Sequence, residues 1–358
     1  MEGINMLTKK KMNLQLFAGT PITDLFTQNE VLNYVRDREY APLLGETLFP
    51  ERKTPSLTFD QINGGSRIPI AASVHDFDTE TEIGSREGGK QELELSLIKR
   101  KLQLKEKDII AIENPRTQAE QDYLIGRVYN DIDVLVAGVR ARIEAMRMEM
   151  LATGKITVAE NNLNLNVDYN IPTEHQEALT GTAMWTDPSS DPLKDLERWI
   201  DAMDVTPSKA LTSRKVYRAL ASHPKIIAAI FGKDSGRVVS QGDLDAFMET
   251  HGYPVLRTYN EKYKVQGKNG KYTTKKYFPE NRFVMFTDDT LGETLYGPTA
   301  EETRLTRDPS VDTSVIGNVL ACVYDETKDP VGTWTKAVAT ALPSFAAADE
   351  VFQAQPIA

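Results

Sequence analysis

A stripe of apolar residues at helical spacing runs through the middle of this chain and limits the folds open to it. Leu124, Val128, Ile132, Leu135, Val139, Ile143, Met146 and Met150 follow one another at steps of three or four residues, which keeps them on one face of a 3.6-residue helix. Thr117 followed by Glu120 is a capped start, and Gly154 is a natural stop. A helix over 117–153 is roughly 55 Å long at about 1.5 Å per residue, well beyond the mean for a globular protein. Such a rod needs an equally long surface to lie on. Asp133 and Glu144 fall opposite the stripe, so the expectation is a helix along a sheet with its far side in water. A coiled-coil strand has the same spacing, but there is one such helix with few flanking charge pairs.

Just before it lies KQELELSLIKRKLQLKEK, Lys90 to Lys107. Leu93, Leu95 and Leu97 share one parity and Leu102 and Leu104 the other, which reads as extended structure with a bulge or turn near Ile98 to Lys101. One strand over the whole run would span roughly 50 Å at about 3.4 Å per residue, with one narrow apolar edge. Alone, such an arm cannot bury itself. An ordinary two-sided surface hairpin is the plainer alternative.

Composition removes several function classes. The chain has 358 residues, 40% hydrophobic and 26% charged, enough for about two core-forming regions. No apolar run approaches the roughly 18 residues of a spanning helix, and MNLQLFAG after Lys9-Lys10-Lys11 is too short for a secretory core. Cys322 is the single cysteine, which excludes an internal disulfide or a multi-cysteine zinc site. A net charge of −10 argues against a nucleic-acid clamp.

Elsewhere the texture is mixed. Thr27 to Arg38 is a short helical candidate in a proline-punctuated N-terminal region. After the rod, KITVAENNLNLNVDYNIP reads as a hairpin. From Asp191-Pro192 onward helices are expected near 192–203, 213–231 and 242–251. Val255 to Val265 and Tyr272 to Phe278 pair across Asn269-Gly270, Arg282 to Thr287 is a further strand, and Val315 to Tyr324 and Val331 to Leu342 flank Asp329-Pro330. No element is expected after Pro343.

Catalytic and metal-binding patterns are missing from the sequence. His75, His175, His223 and His251 lie far apart without ligand spacing, and there is no nucleophile elbow, phosphate loop or dinucleotide fingerprint. Asp76, Asp78, Glu80 and Glu82 alternate like the start of a calcium loop, but Thr81 stands where glycine is needed; a solvated acidic turn is expected. Lys99-Arg100-Lys101 is interleaved with Glu92, Glu94 and Glu106 and has no aromatic platform, which favours contact with protein. No catalytic residue, cofactor or metal is expected.

The order of these features resembles the tailed-bacteriophage major capsid proteins of the lambda-type E family. MNLQLFAG from Met12 is similar to the opening of many such proteins, FPERKTPSLTFDQINGGSRIPIA from Phe49 to their entry into an extended loop, and ATGKITV from Ala152 through VDYNIP from Val167 to their helix-to-hairpin passage. The resemblance implies an α+β fold of the Hong Kong 97 type. It implies an N-terminal arm (1–53), an extended β-hairpin loop (54–110), a peripheral domain (111–190 and 308–358) around a spine helix (117–153), and an axial α/β domain (191–307). It further implies a non-enzymatic subunit that self-assembles, through pentamers and hexamers, into an icosahedral head shell around double-stranded DNA held without specific binding. Scaffolding, portal and decoration proteins are the other candidate partners. The setting is the virion, assembled in the bacterial host cytoplasm with no membrane association. Leu93, Leu95, Leu97, Lys99, Arg100, Lys101, Leu102 and Leu104 are the expected intersubunit contacts, and Leu124, Val128, Ile132, Leu135, Val139, Ile143, Met146 and Met150 the spine-helix core. A host-encoded, encapsulin-like compartment shares the fold, and a phage tail or baseplate protein also carries long β-arms.

Overall fold

The computed structural model describes residues 25–63, 71–72, 74–75, 77, 89–160, 163–233, 235–267, 269–287, 289–326, 328 and 331–358. In chain order the elements are α1 (Gln28–Asp37), α2 (Leu44–Leu48), β1 (Glu51–Lys53), β2 (Thr58–Asn63), β3 (Gly89–Glu94), β4 (Ser96–Leu104), α3 (Glu106–Glu113) and α4 (Gln118–Thr153). Next come β5 (Lys155–Glu160), β6 (Leu163–Asp168), β7 (Gln176–Ala178), α5 (Pro192–Asp201), β8 (Lys209–Thr212), α6 (Arg214–Ala221), α7 (Pro224–Phe231) and α8 (Gln241–Thr250). The rest are β9 (Val255–Thr258), β10 (Lys262–Gln266), β11 (Tyr272–Lys276), β12 (Phe283–Phe286), β13 (Glu293–Gly297), α9 (Ala300–Leu305), β14 (Leu320–Glu326), β15 (Gly332–Ser344) and β16 (Val351–Gln355).

The rod is α4. Thr117 Oγ1 accepts from Glu120 N–H at 3.2 Å, satisfying a first-turn donor, and Glu120 turns back to accept from the N–H of Arg116, just before the cap, at 3.0 Å. Gly154 ends the helix at φ +68°, where a Cβ would also come within 2.6 Å of Ile171 Cγ1. Leu124, Val128, Ile132, Leu135, Val139, Ile143, Met146 and Met150 are all buried, and α4 lies along β15. The expected wet far side holds only in part. Asp133 is partly exposed and takes hydrogen bonds from Tyr34 and Tyr40, but Glu144 and Arg147 are buried. Near its C-terminal end the helix is enclosed on the opposite side as well, by α2 at Gly45 and by Tyr259, residues too remote in sequence for the helical pattern to anticipate.

The sheet beneath α4 runs β1-β13-β15-β14, with β4 on the other edge of β15. The register of β4 is antiparallel from Ser96↔Ala341 to Leu104↔Thr333. This corrects the reading of an unburied arm. Leu93, Leu95 and Leu104 are buried within their own subunit, in the core that includes α4, and Leu102 is half-buried against it; β4 is a true sheet strand whose apolar side the rod covers. The break in the run falls at Leu95, whose N–H bonds Leu57 O at 2.8 Å, and not at Ile98 to Lys101. β2 and β3 form the separate arm hairpin, Thr58↔Glu94 to Asn63↔Gly89.

A second sheet, β7-β16-β12-β8-β9, shares a core with α5 to α8 centred on Trp185, Trp199, Phe283 and Phe352. The C-terminal tail, expected to lack structure, supplies β16: Phe283↔Ala354 to Phe286↔Val351 pairs it with β12, because Val351, Phe352 and Ala354 are buried there. Pairing crosses the expected domain limits. β13 belongs to the first sheet, whereas β7 and β16 belong to the second, so 293–297 leaves the 191–307 module and 351–355 enters it. Val255 to Val265 is two strands: β9 runs parallel to β8, and β10 and β11 form their own ribbon.

Candidate functional site

Among the described residues, three of the four histidines and the cysteine are engaged by the fold. His175 Nε2 lies 3.1 Å from Ala202 O, and His251 Nδ1 lies 2.9 Å from Phe247 O at the end of α8. His75 is exposed. His223 Nδ1 accepts from Lys225 N–H at 3.2 Å as the cap of α7, which leaves the ring proton of a neutral imidazole on Nε2. Nε2 lies 3.1 Å from Ser190 Oγ and 3.1 Å from Asp187 O. This Ser–His pair, which no sequence motif announced, therefore has the imidazole donating toward Ser190, whereas activation of a nucleophile needs it to accept. Burial also lowers the His223 pKa. Cys322 is similarly blunted, its thiol pushed up to about 11 by burial. Among the described residues no group of three or more His, Cys, Asp or Glu could hold a metal ion. Asp76, Asp78, Glu80 and Glu82 lie outside the described residues.

What the fold presents outward is a contact surface. The arm hairpin is rooted by Gln61, a buried side chain whose amide donates to Phe345 O at 2.8 Å and accepts from Phe345 N–H at 3.1 Å. Leu57 at the hairpin's base is exposed, and so are Ile62, Val74 and Phe77. Beside it an open cleft of about 480 Å³ is lined by Arg52, Asp60, Ile62, Glu293 and Asp349 among others. β4 alternates along its length: Ile98, Arg100 and Leu102 are half-buried, while Leu97, Lys99, Lys101 and Gln103 are exposed, Leu97 at 51%. Lys101 Nζ sits 3.8 Å above the Trp334 ring. β4 pairs with β15 and with no other described strand, so its free edge is guarded by lysines. Of the eight expected contact residues, the structure thus leaves Leu97, Lys99 and Lys101 outermost and turns Leu93, Leu95 and Leu104 inward.

At the enclosed end of α4 lies a buried ionic cluster that sequence reading missed. Glu144 accepts from Gly45 N–H and Tyr259 OH, each at 2.9 Å, and its other oxygen is 3.6 Å from Arg147 Nη1. Arg147 also donates to Thr294 Oγ1 at 2.7 Å and Glu51 at 3.2 Å. Burial raises the Glu144 pKa. Burial alone would also raise Glu51, but hydrogen bonds from Tyr296, Asn318 and Arg147 outweigh it and hold that carboxyl low. The cluster ties α2, β1, β13 and the residues leading into β10 to one helix.

A model of the family described as "Phage major capsid protein E" matches residues 27–355. Among solved structures, the chain is similar to the putative capsid protein of a prophage from E. coli CFT073, with a TM-score of 0.59 and 16% identity over 94% of this chain and 99% of that one. A phage-related protein from Bordetella bronchiseptica RB50 aligns with a TM-score of 0.48 and 13% identity, covering 95% of this chain and 97% of that one. No curated protein matches the sequence significantly. The fold is the Hong Kong 97 type of phage capsid structures. Among the described residues no helix is long and apolar enough to cross a membrane.

Proposed function

The chain belongs to the phage major capsid protein E family, and from that premise we propose how its parts divide the work of building a head shell. The family match over residues 27–355 carries the reading. The α4 rod with the β1-β13-β15-β14 sheet and β4 is the peripheral unit. The β7-β16-β12-β8-β9 sheet with α5 to α8 is the axial unit, clustering at five-fold and six-fold positions. The arm hairpin, with exposed Leu57 and Ile62, and the outer face of β4 reach neighbouring copies. In support, an exposed apolar hairpin beside a lysine-guarded edge strand gains from burial only when another chain covers it. The cluster around Glu144 and Arg147 holds the two units in fixed relation. A scaffolding protein guides closure, and double-stranded DNA fills the interior.

Electron microscopy of protein co-expressed with its scaffolding partner tests this directly. Closed shells are expected, with tubes or free capsomers when scaffold is omitted. A strictly monomeric protein at high concentration with scaffold present contradicts it.

A further inference from the structure

The β10–β11 ribbon carries charge out of proportion to the rest of the chain. From Glu261 to Tyr277 there are six lysines and one glutamate, a net of +5 in a chain whose total is −10, so the remainder carries −15. The antiparallel register sets Lys262 opposite Lys276, Lys264 opposite Thr274 and Gln266 opposite Tyr272, and opposed residues share a face. That face is therefore Lys262, Lys264, Lys276, Gln266, Thr274 and Tyr272, with Lys262, Lys264 and Tyr272 exposed. Like charges set directly across a ribbon repel. Within the described residues the one ion pair on the ribbon is Lys276 with Glu280 at 2.5 Å. Arg100 of β4 adds a further cation at the Gln266 end of the face by donating to Gln266 Oε1 at 3.2 Å.

The other face anchors the ribbon. Tyr263 stacks on Tyr277 at 4.9 Å between centroids, Tyr277 stacks on Tyr259 at 6.1 Å, and Tyr259 bonds the buried Glu144. A rigid root leaves the lysine face outward.

We propose that this face is a sequence-independent binding surface for the backbone of double-stranded DNA. Lys262 and Lys264 stand two strand residues apart, roughly 7 Å, near enough together to neutralise neighbouring phosphates of one DNA strand. Exposed Tyr272 on the same face supplies an aromatic surface beside the cations, and a two-stranded ribbon is narrow enough for a major groove. The net charge of −10 does not oppose this locally, because salt confines each charge to a reach of about 8 Å. The inference rests on the capsid reading for its setting, the DNA inside the shell, but the binding itself is a property of the subunit and is measured apart from assembly.

The probe is a fluorescent DNA duplex of random sequence, titrated with soluble full-length protein at several salt concentrations and read by anisotropy. The parent should bind, with affinity falling as salt rises. Lys262→Gln/Lys264→Gln/Lys276→Gln should bind at least about tenfold more weakly at low salt, and its log–log salt slope should be shallower by about 0.9 for each phosphate that is no longer neutralised. Lys90→Gln/Lys194→Gln, exposed lysines elsewhere, should match the parent. Circular dichroism checks that each variant is folded, and the single changes Lys262→Gln and Lys264→Gln, each with a smaller decrease in slope, serve if the triple variant is not. No measurable binding by the parent, or equal binding by parent and triple variant, overturns the proposal. So does a triple variant that binds DNA normally yet fails to assemble, which would assign the ribbon to an acidic surface of another copy. Shells that form normally while DNA binding is abolished would leave the capsid reading intact and support the ribbon's separate role.

Discussion

Replacing Glu144 by alanine tests whether the enclosed end of α4 is the joint that the structure describes. The substitution strands two buried donors, Gly45 N–H and Tyr259 OH, each now 2.9 Å from a carboxylate oxygen. Hydrogen bonds to a charged group are worth about 1.5–3 kcal/mol each, and removing one member of a buried pair costs about 3–5 kcal/mol in all. Two features pull toward the lower end. The second carboxylate oxygen has no hydrogen-bond partner, so its desolvation is refunded, and Arg147 keeps Glu51 and Thr294. The expected loss is about 3 kcal/mol, or about 4 °C in thermal midpoint at roughly 1.3 °C per kcal/mol for a chain of this size. Differential scanning calorimetry of the soluble subunit reads it. A midpoint within about 1 °C of the parent would refute the buried-acceptor argument.

Acidity gives the same site a second signature. With the Glu144 pKa raised by burial, the unfolded chain ionises before the folded one as pH rises. Its contribution to stability is therefore complete below the unfolded carboxyl range and is lost as pH climbs through the raised folded value. Glu51 is held low and runs the other way, its contribution being lost as pH falls. Subtracting the melting curve of Glu144→Gln from that of the parent removes Glu51 and isolates Glu144. The parent's advantage should grow as pH falls through the raised Glu144 value toward the ordinary carboxyl range, and a flat difference would contradict it.

Three other perturbations address separate parts of the account. Gly45→Ala places a Cβ 2.7 Å from Arg147 Cδ and closer still to Glu144 Oε2; a loss of about 1–3 kcal/mol is expected in urea unfolding, and an unchanged midpoint would mean that α2 does not press on the ion pair. Leu135→Asp puts an unpaired carboxylate into a fully buried site at a cost on the order of 4 kcal/mol or more, so soluble yield should collapse; a normal yield and midpoint would remove the rod from the core. Lys99→Glu with Lys101→Glu should leave circular dichroism and melting nearly unchanged, because both side chains are exposed, while shell yield falls through like-charge repulsion; normal shells would exclude this face from the interface.

What the sequence made legible was what local spacing encodes. The ends of α4 were readable from Thr117 and Gly154, because caps act within one turn, and α1 was readable as a stretch between proline breaks, although its Thr27–Glu30 capping box was not singled out. Burial of Glu144 was not readable, since Gly45 and Tyr259, which cover it, lie 99 and 115 residues away. The same holds for β4: its alternation showed a strand, but only its pairing with β15 shows that Leu95 and Leu104 point into their own subunit. β16 was missed because Val351, Phe352 and Ala354 make too short a segment to show a period, and its place comes from pairing with β12. Net charge hid the lysine ribbon by averaging it with an acidic remainder. Counting charge in windows of about the hairpin's length would have exposed it.

The central claim is that the subunit leaves one surface, the arm hairpin and the free edge of β4, to be completed by neighbouring copies. Hydrogen exchange read by mass spectrometry on free subunits and on assembled shells tests it most directly. Amides of 57–63 and 89–104 should gain protection on assembly, while those of β8 and β12, already buried in the second sheet, should exchange alike in both states. Equal exchange across 57–104 in free and assembled protein would show that this surface meets no neighbour and would contradict the account.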